Sequence, residues 1–171
     1  MAHSPTLQAL PSRFLIIGQG SERQSDAAVG ARVAEIIAGW HLPLIKSLSV
    51  DQLTPELVND LVATDYVIFV ETCGRESCAR TVQIDPIVPG GRPSRALQLE
   101  DPACGPLMLL NLTQQLYGRS PQAWLLQVPT ESFDDGEGFS TTAQRGYDRA
   151  VRTIEQFLKT YQKPAWAAAL Q

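Results

Sequence analysis

The sequence predicts an α/β fold: a three-layer sandwich in which helices cover both faces of a five-stranded, mostly parallel mixed sheet whose fourth strand is antiparallel. Three observations lead there. Short β-branched and aromatic runs at Phe14 to Ile17, Tyr66 to Val70 and Ala123 to Val128 alternate with stretches of helical periodicity, the pattern of strands joined by helical crossovers. The run Tyr66 to Val70 is almost continuously apolar, as a strand covered on both faces must be. Thr81 to Ile84 follows it after a connection too short for a helical crossover, so this strand runs back against the others.

The first strand breaks at Gly18 and Gly20, and Val29, Val33, Ile36 and Ile37 then fall on one face of a helix. Ligands of open α/β sheets bind beyond the carboxyl ends of the strands, so the loop from Gly18 to Asp26 is the first place to look for a site. A dinucleotide fingerprint would need a third glycine where Arg23 stands, and no Gly-Lys-Ser/Thr follows to make a phosphate loop. Ser25 or Asp26 suits the cap of the coming helix. A second strand is expected from Pro43 to Leu48. Thr54 and Pro55 then signal a helix start, with Leu57, Val58, Leu61 and Val62 as its buried stripe and an end near Ala63.

The third strand stops at Glu71, which the parallel pattern brings to the same edge as the first loop. From Asp85 to Pro102 the chain is rich in Pro and Gly and reads as a loop or flap, with a short extended piece at Arg95 to Leu99. Helical spacing resumes at Leu107, Leu110 and Gln114 and stops at Gly118. The fifth strand, Ala123 to Val128, leads through a polar loop to a last helix from Thr141 to Tyr161, with Val151, Ile154, Phe157 and Leu158 facing inward and Pro164 ending it. Residues 1–171 are expected to form a single domain with flexible ends at 1–11 and 164–171.

Composition bounds the function. A hydrophobic share of 44% with 19% charged residues is that of a globular chain, and a net charge of −4 offers no footing for nucleic acid. No apolar stretch approaches the ~18 residues of a membrane span, and the first twelve residues lack a signal-peptide pattern, so a cytoplasmic protein is expected. Three cysteines, Cys73, Cys78 and Cys104, are an odd number, which favours free thiols over a disulfide framework. The C-x4-C spacing of Cys73 and Cys78 is looser than a zinc knuckle. With His3 and His41 the only histidines, a triad has a single plausible base.

Gly18-Gln19-Gly20-Ser21, Asp26-Ala27 and Gly30, the apolar stretch from Leu61 to Glu71, and the segment from Val128 to Ser140 together resemble the hydrogenase maturation proteases. These endopeptidases trim the C-terminal extension of nickel–iron hydrogenase large subunits. The resemblance implies an endopeptidase whose partner is a protein, the large-subunit precursor, with nickel bound by an acid of the first loop, an acid ending the third strand and a later histidine. Here those positions fall on Ala27, Glu71 and Ala103. A methyl group has no lone pair, so two of the three ligands are lost and nickel binding is not expected. Asp26 and Glu71 remain as catalytic candidates, and Cys73, Cys78 and Cys104 stand near the altered positions as a possible thiol site. Two functions follow: an endopeptidase with an altered site, or a non-catalytic relative that holds a protein or peptide in the retained cleft.

Overall fold

Along β1 (Phe14–Gln19), Phe14 and Ile16 enter one apolar core while Leu15 and Ile17 enter another, none more than 1% exposed. A strand with two buried faces has no place for a polar alternate, which is why this run is continuously apolar. The computed structural model describes residues 12–21, 25–74, 81–89, 104–131 and 138–161. Within them β2 (Ile45–Val50), β3 (Tyr66–Cys73), β4 (Gln83–Ile87) and β5 (Gln122–Pro129) join β1 in one sheet of order β2-β1-β3-β5-β4. All neighbours are parallel except β4, which is antiparallel to β5, as the short connection into it requires.

Helices α1 (Val29–Ala38) and α4 (Thr141–Tyr161) cover one face, where Val33, Ile37, Ile154 and Leu158 meet Ile16, Ile68 and Leu126. The other face carries α2 (Val58–Val62) and α3 (Pro106–Tyr117), with Leu61, Leu109 and Leu110 against Leu15, Phe69 and Leu125. The α/β sandwich is therefore as expected. Gly118 ends α3 in the left-handed region at φ 72°, donating its N–H to the Gln114 carbonyl at 2.9 Å, the usual reason for glycine at that position. Five rings close the amino end of the sheet. Trp124 lies 4.6 Å from Phe157 between ring centres, Phe14 6.0 Å from Phe157, and Tyr66 5.4 Å from Tyr161.

Four local expectations need correction. Ile36 is 41% exposed rather than buried. The centre of the buried face of α1 is held by Gly30 and Ala34, small residues that let the helix approach β1, so the large side chains flank it and Ile36 falls outside. The second strand starts at Ile45 rather than Pro43, because His41 and Leu44 take positive φ values of 51° and 65° in the turn before it. β3 continues past Glu71 to Cys73, paired with β5 as far as Pro129. β4 starts at Gln83 rather than Thr81 and runs through Pro86 to Ile87, taking in residues expected in the loop. Proline is tolerated there because, among the described residues, β4 is an edge strand that pairs only with β5.

The expected extended piece at Arg95 to Leu99, the part of the expected loop that follows Pro89, and the ends 1–11 and 164–171 lie outside the described residues. Among the described residues no helix is long and apolar enough to cross a membrane.

Candidate functional site at the carboxyl edge of the sheet

Backbone meets backbone where β1 gives way to α1. A Cβ on Gly18 would collide with the Gly30 carbonyl and lie 2.7 Å from the Ala34 methyl, and one on Gly30 would lie 2.8 Å from the Val70 carbonyl oxygen. A Cβ on Gly20 would collide with the Ala27 carbonyl. These contacts seat Ala27 beside the exit of β1 and the first turn of α1 beside Val70, the residue before Glu71. The three positions that the sequence singles out, Gly18 to Ser21, Asp26 to Gly30 and Glu71, thus share one edge.

Asp26 opens a 3-10 turn, Asp26–Ala28, and is fully buried. Its carboxylate accepts from Ser140 N–H at 2.8 Å, Ser140 Oγ at 2.6 Å and Glu131 N–H at 2.9 Å. It does not cap α1. The cap position of that helix is Ala28, and Ser25, ahead of the turn, makes no side-chain cap bond. The oxygens of Asp26 face away from the helix, towards the loop between β5 and α4. Ser140 also accepts the Ala143 N–H at 3.2 Å, so one hydroxyl caps α4 and binds the acid.

Glu71 is half-buried on β3, opposite Gln127 of β5. Ala27 is half-buried too, while Ala103 lies outside the described residues. Among the described residues no three His, Cys, Asp or Glu side chains gather as a metal-holding group. Of the groups at this edge, the Asp26 oxygens already face N–H and O–H donors and the Ala27 methyl has no lone pair.

Cys73, expected as a thiol, is disulfide-bonded. An odd cysteine count requires only that one thiol stay out of a bridge, and Cys104 is that thiol. The bridge therefore does not run to Cys104. Cys78 lies outside the described residues. Cys104 is half-buried and packs with Leu107 against the core beneath α2 and α3, so the described cysteines do not converge as a thiol pair.

Two features escaped the sequence. The Thr130 hydroxyl, in a residue 8% exposed, has no hydrogen-bond partner among the described residues, although its N–H reaches the Cys73 carbonyl at 3.0 Å. Beside it a cleft of 410 Å³ lies between the run into β4, the end of β5 and α4, with Arg145, Arg149 and Arg152 in its wall. Arginines at i, i+4 and i+7 were the signal for it in the sequence. Gly146 makes the cleft's floor tight, since a Cβ there would lie 2.6 Å from Val128 Cγ1. Tyr147, next along, has its pKa raised by burial and then by Asp148, with Arg32 opposing and Glu35 adding to the rise.

This strand order, with glycine contacts gathering loops at the carboxyl edge, is the fold of the hydrogenase maturation endopeptidases. Among solved structures, hydrogenase maturating endopeptidase HybD from E. coli matches with a TM-score of 0.68 and 20% identity over 86% of this chain and 93% of that one. The NiFe hydrogenase maturation protease HycI from Thermococcus kodakarensis matches with a TM-score of 0.61 and 18% identity, over 88% and 95% of the two chains. A hydrogenase 2 maturation peptidase from a Thaumarchaeota archaeon gives 0.59 and 18%, over 85% and 97%. At these identities the likeness establishes the fold. The sequence matches no family model and no curated protein.

Proposed function

We propose that this chain uses the fold of the hydrogenase maturation endopeptidases to hold a protein or peptide partner at the carboxyl edge of its sheet, without nickel-directed cleavage. One observation carries the reading. Asp26, the acid retained in the first loop, has both oxygens committed to Ser140 and Glu131, which makes it an anchor between two loops rather than a ligand or base. With Ala27 beside it, Glu71 is the one carboxylate left of the ligand positions in the described residues, and a single carboxylate is a poor first shell for a transition metal. The partner class follows from the structures that share the fold, whose names describe hydrogenase maturation; a precursor protein of that kind is the partner to try first. A cytoplasmic location goes with that partner.

A second reading, an endopeptidase with an altered site, is favoured by Glu71 itself, half-buried at the sheet edge. The two separate in one experiment. A nickel-loaded hydrogenase large-subunit precursor bearing its C-terminal extension is incubated with the protein, then followed by co-purification and intact mass. Binding with no loss of mass is the expected result. Loss of the extension, abolished by Glu71→Gln, would replace the binding reading with the protease.

A further inference from the structure

We propose that the cleft walled by Arg145, Arg149 and Arg152 is a docking site for an acidic peptide segment, whose carboxylates pair with the three guanidinium groups. This rests on the binding reading and deepens it by naming the chemistry of the partner. The three arginines project from one face of α4, spread over roughly 10 Å of helix at 1.5 Å per residue. Thr81, Val82 and Pro129 form the opposite wall. Like charges at i,i+3 and i,i+4 repel within a helix. Arg145, Arg149 and Arg152 take part in none of the ion pairs seen among the described residues, such as those joining Arg32 to Glu35, Lys46 to Asp60, Arg119 to Asp65 and Lys159 to Glu155. Arg152 Nε donates to the Asp148 backbone carbonyl, at 3.4 Å.

Asp148 is the one acid among the described residues of the wall, and its carboxylate accepts from the Gln144 amide at 3.2 Å. Among the described residues of the wall, positive charge is therefore in surplus. Guanidinium forks match carboxylates bidentately. Phosphate shares that chemistry, yet the arrangement suits a peptide better. The Ala143 N–H of α4's first turn is already taken by the Ser140 hydroxyl, and the charges form a row rather than a cup. Side chains on one face of an extended peptide recur about every 6.7 Å, close to the roughly 6 Å rise from Arg145 to Arg149, and long arginine stems take up the remaining difference. The apolar faces of Val82 and Pro129 suit the chain between the acids. The cleft's volume of 410 Å³ lies within the usual range for a small binding site.

The test uses the full chain and a fluorescein-labelled decapeptide alternating Glu with Ala, read by anisotropy, with the Gln counterpart as control. Saturable binding is expected, at least tenfold weaker for the Gln peptide, at least tenfold weaker for Arg145→Gln with Arg149→Gln, and weakened by salt. All three arginines are exposed, so these variants are expected to fold, which circular dichroism checks; Arg149→Lys keeps the charge and should retain part of the affinity. No difference between the Glu and Gln peptides, or full binding by the double variant, would overturn the proposal. Displacement by inorganic phosphate at concentrations equal to the peptide would also overturn it in favour of a simple anion site. If the precursor still co-purifies with the double variant, the cleft proposal falls while the binding reading stands; failure of the unaltered protein to capture the precursor while it still binds the Glu peptide sinks the binding reading alone.

Discussion

Ser140 donates to both oxygens of Asp26, its N–H to Oδ1 at 2.8 Å and its hydroxyl to Oδ2 at 2.6 Å, across 114 residues of chain. The turn that begins α1 is thereby fastened to the loop that begins α4, the two helices on the same face of the sheet. A buried acid that receives three donors holds the edge together.

Replacing Asp26 by Ala leaves the Glu131 and Ser140 N–H groups without their acceptor. Each unmade buried bond costs about 1–3 kcal/mol, so a loss of about 2–6 kcal/mol is expected. Asp26→Asn, which keeps one acceptor oxygen, should lose less. Urea unfolding measures both, and an unchanged midpoint for Asp26→Ala would return this residue to the candidates for chemistry.

Restoring donors at the altered positions should restore metal affinity. Ala27→Glu with Ala103→His is expected to bind zinc or nickel by calorimetry where neither single change does, because ligands preoriented around Glu71 act together. Overpacking at the half-buried Ala27 would cost about 1–3 kcal/mol, so the variant's stability is measured alongside. A folded double variant that binds no more metal than the parent would show that these positions do not face Glu71.

Thr130→Val removes the buried hydroxyl at nearly constant shape. The variant should be as stable as the parent or gain about 1 kcal/mol. A drop of that size instead would mean the hydroxyl is bonded in solution.

Thiol counts check the cysteine chemistry. In denaturant without reductant the protein should show one thiol, from Cys104, and three after reduction, since Cys73 is bridged and the chain has three cysteines. Three thiols before reduction would remove the bridge.

The raised pKa of Tyr147 has a definite sign. Burial and Asp148 disfavour the phenolate, so the folded state holds this proton more tightly than the unfolded chain, whose tyrosines titrate near pH ~10. Its contribution to stability is present below about pH 10 and is lost as pH rises through the folded value. Absorbance at 295 nm should show a late ionisation step that Tyr147→Phe removes; a titration unchanged by that substitution contradicts the assignment.

Periodicity made the sheet legible, because buried strands and their crossovers leave continuous apolar runs and helical stripes. It misplaced Ile36, since Gly30 and Ala34 hold the middle of the buried face and small residues leave little periodic signal. Pro86 hid the far half of β4, as proline counts against a strand unless its place at an edge is known. The loops of the site were legible from glycine spacing and from the family resemblance. The role of Asp26 was not, because its partners Glu131 and Ser140 lie 105 and 114 residues away. The arginine row was open to reading in α4, but only the fold sets Pro129 and Val82 opposite it.

The aromatic closure at the amino end of the sheet also sets a timetable. Phe14 leaves the ribosome 143 residues before Phe157, the ring that meets it edge-on. At about 5–20 residues per second that interval is roughly 7–30 s. β4 likewise emerges before β5, its only neighbour among the described residues. For those seconds Phe14 and Ile16 have α1 over them but not the last helix, so this core is completed only when residues 141–161 have emerged.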